Sequence, residues 1–204
     1  MSSSTWFVIA AVTAALTSSA ARAQEARHLM HFKINPSETK ITASVAEPMQ
    51  MIRGSAMGTF QVIKGDVQGD SHSIAGTGGV NLVIDAASYK TDSEGRDAAV
   101  KENALEARKY PTITFRGSQF PSIQKNGDRA AKLQVLGQLT LHGVTRDIVL
   151  PLSAHIDGQG RFIADGSYTF KFEEYGVKRP STMLGLMVTG DEATIDFHVV
   201  ADPA

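Results

Sequence analysis

Apolar and polar residues alternate between residues 161 and 172 with a single interruption. One parity is polar except for Ile163, and the other parity is apolar: Phe162, Ala164, Gly166, Tyr168, Phe170 and Phe172. Because successive side chains of a β-strand point to opposite faces, this pattern predicts one long strand with an aromatic face and a polar face.

The same alternation recurs along the chain and predicts about eight or nine antiparallel strands. They fall at residues 28–34, 39–46, 58–64, 72–85, 113–115, 133–141, 148–156, 161–172 and 195–199. One helix is predicted for residues 97–107, after the cap-like residues 91–93 and before Pro111. Strands with one apolar face form a sandwich or a barrel, and a strand longer than the usual five or six residues favours a barrel.

The first residues and the composition indicate an exported protein. Residues 6–16 are apolar and lead to Ala21-Arg22-Ala23, which is typical of a secretory signal cleaved before Gln24. We therefore expect a signal peptide over residues 1–23, one domain over residues 24–204, and a periplasmic location. The chain has no cysteine, and its net charge of −1 without a basic cluster argues against a nucleic-acid partner.

Three segments in a fixed order, with an early Gly-Thr-Phe at residues 58–60, carry a family resemblance. They are TDSEGRD at residues 91–97, KYPTITF at residues 109–115 and GQLTLHGVTRDIVLPL at residues 137–152. In this order the chain resembles the YceI-like family of exported lipocalin-like proteins, over roughly residues 28–200.

The resemblance implies an all-β fold, namely an antiparallel lipocalin-like β-barrel of about eight strands with one helix. It also implies a long tunnel for a polyisoprenoid or similar lipid, and a periplasmic binder or carrier without catalytic residues. Two positions depart from the family pattern. Ala99 stands where many members have histidine, and Phe172 stands where an arginine is usual, which leaves the preferred head group of the ligand open.

Two sets of residues are candidates for contact with the ligand. Periodicity alone leaves a filled core as the alternative to a ligand tunnel, and the resemblance favours the tunnel. The predicted tunnel lining is Phe60, Leu82, Phe115, Leu139, Leu150, Phe162, Tyr168, Phe170 and Phe197. The predicted mouth, which an ordinary plug over a barrel end would explain equally well, is Met49, Met51, Met57, Met183 and Met187.

Catalytic, metal and cofactor functions find little support in the sequence. His28 and His31 would face opposite sides of a strand, and no serine lies in a Gly-x-Ser-x-Gly turn. The pairs at residues 96–97 and 146–147 (Arg-Asp in each case) suit a structural role. We predict a non-enzyme without a cofactor, whose partner is an apolar lipid and whose membrane contact is transient. An enzyme acting through Tyr168, a stress-response or assembly protein with a filled barrel, and a homodimer stay open.

Overall fold

The structure is a computed structural model, and it describes residues 29–45, 56–70, 73–126, 129–179, 181–182, 187–188 and 190–204. The predicted signal peptide lies outside these residues. The described strands are β1 (Leu29–Ile34), β2 (Lys40–Val45), β3 (Ala56–Phe60), β4 (Ile63–Asp70), β5 (Ser73–Asp85), β6 (Tyr89–Lys90), β7 (Thr112–Lys125), β8 (Ala130–Leu141), β9 (Val144–Ile156), β10 (Phe162–Lys171), β11 (Ser181–Thr182), β12 (Met187–Val188) and β13 (Glu192–Pro203).

The main sheet closes on itself through β13. Neighbouring strands pair antiparallel in the order β1-β4-β5-β7-β8-β9-β10-β13, and β13 pairs in turn with β1, which completes a ring of eight. The closing register places Phe32 opposite Pro203 and Ile34 opposite Ala201. The predicted eight-stranded antiparallel barrel is therefore confirmed.

Two of the eight positions in this ring are each occupied by two shorter strands that follow one another, with a break between them. β13 pairs with β1 near its C-terminal end and with β2 over residues 193–198, so β1 and β2 lie one after the other along the same neighbour. On the other side, β1 pairs with β4 and β2 pairs with β3, so β3 and β4 also follow one another along the same neighbours. The first of these breaks lies at residues 35–37, and the backbone N–H of Asn35 donates to Val200 O there at 2.8 Å.

The strand predicted for residues 58–64 is wrong in one respect. The chain bends at residues 61–62, where the N–H of Gln61 donates to Ser88 O and the N–H of Asp85 donates to Val62 O. This bend shifts the alternation by one residue. Ile63 is consequently buried, whereas Val62, which the uninterrupted pattern placed beside Phe60 on the inner face, is exposed.

The predicted helix begins three residues earlier than expected. Helix α1 covers Glu94–Ala99, and Ser93 caps it by accepting a hydrogen bond from the Arg96 N–H. A π-helical turn over Val100–Ala104 follows, closed by the Leu105 N–H donating to Val100 O, and the segment covers one end of the barrel. The polar segment at residues 91–93 predicted the cap correctly, but apolar spacing alone could not indicate the exposed first turn.

Asp97 ties this helix to the strand that precedes it. Its carboxylate is buried and accepts hydrogen bonds from the Thr91 backbone N–H at 2.6 Å and from the Thr91 hydroxyl at 2.7 Å. Lys90 Nζ lies 3.1 Å away, while Arg96 pairs with Asp92 instead. The Thr91 hydroxyl is the largest cause that lowers the pKa of Asp97 to about 2; Lys90 adds to it, and desolvation opposes it.

Aromatic rings on the inner face lie over glycines of neighbouring strands. A Cβ atom on Gly137 would come within 2.6 Å of the Phe115 ring, and one on Gly166 would meet the Phe197 ring and, at 2.6 Å, the Pro151 carbonyl. Glycine at these positions lets the rings pack flat against the backbone of the wall.

We expect replacement of Asp97 by asparagine to lower thermal stability in a pH-dependent way. The folded pKa is depressed below an unfolded value of about 3.9, so the carboxylate stabilises the fold above that pH. This contribution is lost as the pH falls towards 2. The difference in melting temperature between wild type and Asp97→Asn should be largest above about pH 4 and shrink towards about pH 2.

Asp92→Asn, at the exposed ion pair with Arg96, serves as the control, and its melting temperature should change little. A difference that is independent of pH would contradict this account.

We also expect Gly166→Ala to destabilise the barrel, because the added methyl group displaces the Phe197 ring or the neighbouring strand. Overpacking of this kind costs about 1–3 kcal/mol of unfolding free energy. Gly69→Ala is the matched control, since a Cβ there meets nothing within 4 Å. Equal unfolding free energies for the two variants, measured by denaturant titration, would refute the packing argument.

Candidate functional site: an apolar cavity inside the barrel

The interior of the barrel holds a cavity of about 520 Å³. This volume lies within the range of about 300–1,000 Å³ that is usual for small-molecule sites, and it far exceeds the space of one water molecule. All nine residues predicted to line a tunnel lie on its wall: Phe60, Leu82, Phe115, Leu139, Leu150, Phe162, Tyr168, Phe170 and Phe197. That these residues contact a ligand stays a prediction.

Several of these side chains expose surface although they point inward. Leu82, Leu139, Leu150 and Phe197 are half-buried, and all four lie on the cavity wall. A solidly packed core would bury such residues completely. Their exposed surface is therefore the inner surface of the cavity.

The lining is almost entirely apolar. Among the described residues, the polar side chains on the wall are Gln68, Tyr89, Arg129 and Tyr168, and Arg129 is the single charged one. Arg129 precedes β8, and its carbonyl accepts a hydrogen bond from the Ile156 N–H. The glycines of the hairpin turn at residues 157–160 also reach this end of the wall, which we call the Arg129 end.

The opposite end of the cavity is covered by the helical segment and by a short 3₁₀-helix, Phe172–Tyr175. The turn between β8 and β9 connects these two covers. His142 Nε2 lies 2.7 Å from Glu106 Oε2, and His142 Nδ1 lies 3.2 Å from Tyr175 O. The Tyr110 ring packs on His142 with centroids 4.4 Å apart. We call this the Phe172 end.

Arg146 adds a further contact at the Phe172 end. Its Nε donates to Glu174 O at 2.5 Å, and its guanidinium lies over the Tyr175 ring, 5.9 Å from the centroid. Asp147 accepts a hydrogen bond from Gln138 across the strand pair and does not bond to Arg146. In these contacts Arg146 is structural, as the sequence suggested, but its partner is a carbonyl of the 3₁₀-helix.

Two tyrosines, Tyr168 and Tyr175, place phenol groups at the Phe172 end. Tyr175 is fully buried, and its hydroxyl has no hydrogen-bond partner among the described residues. The Phe170 ring packs against both Tyr168, at 6.1 Å between centroids, and Tyr175, at 5.2 Å. Burial is the main cause that raises the pKa of Tyr175, and the neighbouring Tyr168 phenol raises it further.

Sequence reasoning did not identify Tyr175 as a residue of the site. It follows β10 in a 3₁₀-turn, where the alternation that identified Tyr168 and Phe170 no longer applies. The one signal in the sequence was the Tyr-Gly pair at residues 175–176, because a glycine often ends a helical turn. In the structure Gly176 adopts a left-handed conformation with φ of 64° and ends the 3₁₀-turn.

The methionines predicted at the mouth find no support in the described residues. Met57 is 54% exposed on the outer face of β3, because it alternates with the inward residues Gly58 and Phe60, and it does not line the cavity. Its assignment to the mouth stays a prediction. Met49, Met51 and Met183 lie outside the described residues, and Met187 is described only as part of the short strand β12.

The described histidines do not gather into a metal site. His31 is exposed on β1, and His198 Nδ1 lies 2.6 Å from Asp165 Oδ1 on the outer face. No group of three or more histidine, cysteine, aspartate or glutamate residues with a suitable arrangement occurs among residues that the structure describes. Within the same part of the chain, no helix is both long and apolar enough to cross a membrane.

The fold is similar to that of two solved structures. BcnA of Burkholderia cenocepacia superposes with a TM-score of 0.65 at 21% identity, covering 82% of this chain and 98% of that one. A polyisoprenoid binding domain from Saccharophagus degradans superposes with a TM-score of 0.68 at 15% identity, covering 86% and 99%. At these identities the similarity shows a shared fold.

Sequence comparison identifies the family. A UPF0312 protein of Vibrio vulnificus is 34% identical over 105 residues, or 51% of each chain, and the protein YceI of Escherichia coli O157:H7 is 35% identical over 104 residues, or 50% of each. The chain thus spans about half the length of the curated relatives it matches. The sequence profile of the YceI-like domain matches residues 32–201. This chain therefore belongs to the YceI-like family.

Proposed function

We propose that this protein binds one elongated apolar molecule inside its barrel, most simply a polyisoprenoid or the tail of an isoprenoid quinone. The observation that carries the proposal is the cavity of about 520 Å³ with a nearly continuous apolar wall. The name of the Saccharophagus degradans domain, which records polyisoprenoid binding for that protein, supports the same ligand class here.

The energy of transfer from water is sufficient for useful affinity. Each buried methylene contributes about 0.8 kcal/mol, so ten of them give roughly 8 kcal/mol before ordering costs are subtracted. That gross value corresponds to binding on the order of 1 μM. An isoprenoid tail has more than ten such carbons, and the wall offers Phe, Leu, Ile and Val side chains along its length.

The proposed mechanism is solvation of the lipid. The inner wall replaces the lipid environment, while Thr169, Lys171 and Asp196 face water on the outside of the same strands. Together with the secretory signal expected at residues 1–23, this favours a carrier that moves or stores the lipid in the periplasm. The location and the direction of transfer are part of the proposal.

Two other functions fit the structure less well. A protein that acts only through its surface needs no interior space, and the cavity counts against it. An enzyme would need groups for proton transfer near the ligand, and the titratable side chains on the described wall are Tyr89, Arg129 and Tyr168. Phenol and guanidinium groups suit binding better than acid–base chemistry near neutral pH.

We expect an apolar lipid to accompany the purified protein, and to disappear from it when the wall is made polar. Native mass spectrometry before and after solvent extraction measures its occupancy. Leu150→Arg and Phe170→Asp place a charge on the apolar wall and should abolish binding. Val149→Arg is the matched control, because Val149 is the sequence neighbour of Leu150 and is 45% exposed on the outer face.

The fold of each variant is checked by circular dichroism, since a buried charge can also prevent folding. If Leu150→Arg or Phe170→Asp were to form a native barrel and still take up lipid as the wild type does, the proposal would be wrong. Wild-type protein that neither carries lipid nor takes up added polyisoprenoid would equally refute it.

A further inference from the structure

The buried hydroxyl of Tyr175 needs a physical explanation. A buried donor without a partner is destabilising, and native proteins rarely keep such groups without a reason. Tyr175 is fully buried at the Phe172 end, so its hydroxyl cannot reach bulk water. The nearest tyrosine in this packing is Tyr168, since the Phe170 ring contacts both, and Tyr168 lies on the cavity wall.

The two phenols are suited to act in series. Phe170 packs against both rings and holds them on the same side of the wall. If the Tyr175 hydroxyl donates to the oxygen of Tyr168, the Tyr168 hydroxyl keeps its own proton for a third group. Such chains strengthen the terminal donor, particularly where the surroundings are apolar. Phe170, Ile195 and Phe197, which lie near Tyr168 on the wall, offer no side-chain acceptor, so a molecule inside the cavity can supply the third group.

No charged side chain of the described residues lines the cavity at the Phe172 end. Arg146 donates to Glu174 O, and the carboxylate of Glu174 accepts from the Lys171 backbone N–H. Neither side chain lines the cavity, and the charged residue on the described wall, Arg129, belongs to the other end. A negatively charged group at the Phe172 end would therefore be desolvated without a counter-ion, whereas a neutral oxygen needs one hydrogen-bond donor.

We propose that Tyr168, supported by Tyr175, donates a hydrogen bond to an uncharged oxygen of the bound lipid. This inference rests on the proposed function and specifies its ligand class: an isoprenoid that ends in an alcohol or a quinone or ester carbonyl. The polar end of the lipid lies at the Phe172 end, and the tail extends towards the Arg129 end. Tyr168 is the binding residue, and Tyr175 is a positioning residue that acts through it.

The test compares two apolar probes that differ in oxygen. One is a quinone with an isoprenoid tail, and the other is squalene, an isoprenoid hydrocarbon. Dissociation constants are obtained by displacement of a fluorescent fatty acid analogue from the full-length protein. We expect Tyr168→Phe to weaken quinone binding by about 5- to 10-fold, as the loss of one hydrogen bond predicts, and to leave squalene binding unchanged.

Two further variants separate a binding role from a structural one. Tyr175→Phe should weaken quinone binding by about 2- to 5-fold without affecting squalene, because it removes the support for the donor. Tyr110→Phe is the matched control: its ring packs on His142 at the same end of the barrel and does not line the cavity. It should leave both dissociation constants unchanged.

The outcomes distinguish this inference from the proposed function. If wild type binds neither probe, the proposed function fails and the inference fails with it. If wild type binds both, but Tyr168→Phe weakens both equally or neither, the inference alone is overturned. Tighter binding of a prenyl phosphate than of the quinone, abolished by Arg129→Gln, would place the polar end at the Arg129 end and overturn it too.

Discussion

The ring of backbone hydrogen bonds completed by β13 is the constraint on which the rest of the structure depends. β13 pairs with β10 over ten residue positions, from Phe162–Ala201 to Lys171–Glu192, and with β1 and β2 on its other side. Once the sheet closes, successive residues of each strand face water and the interior in turn. The apolar cavity, the polar exterior and the ligand class all follow from that separation.

Closure alone would not keep the interior open, since an eight-stranded barrel is narrow enough for its own side chains to fill it. Glycines at positions 137 and 166 lie under the rings of Phe115 and Phe197, where any larger residue would meet the ring. Bulky aromatic residues and missing side chains therefore occur together on the inner face. The same pairing gives the wall a smooth apolar surface, which suits a ligand with few directional contacts.

The sequence predicted the wall well and the ends poorly. Residues such as Leu150 and Phe170 lie in long uninterrupted strands, where the period of two determines the side of the wall, and the structure places them on the cavity. Val62 was misplaced because a hydrogen-bonded bend shifts the register, which no local pattern reveals. Tyr175 was missed because it acts from a turn, and turns carry no period.

The segment at residues 137–152, by which the family is most easily identified, has two roles in the structure. Its apolar positions, including Leu139 and Leu150, form part of the wall. Its polar positions hold the Phe172 end together: His142 bridges Glu106 and Tyr175, and Arg146 bonds Glu174. The motif therefore records how this end of the barrel is sealed, and the contacts of its polar residues are with the protein itself.

The wall of the barrel is a single β-sheet, so consecutive residues of a strand face two different environments. Val149 and Leu150 are joined by a single peptide bond, yet one faces water and the other faces the cavity. Because the chain contains no cysteine, a thiol introduced at either position would be unique. A spectroscopic label at each position could thus compare the polarity on the inner and outer faces of the same strand. A bound ligand would be expected to perturb the inner label.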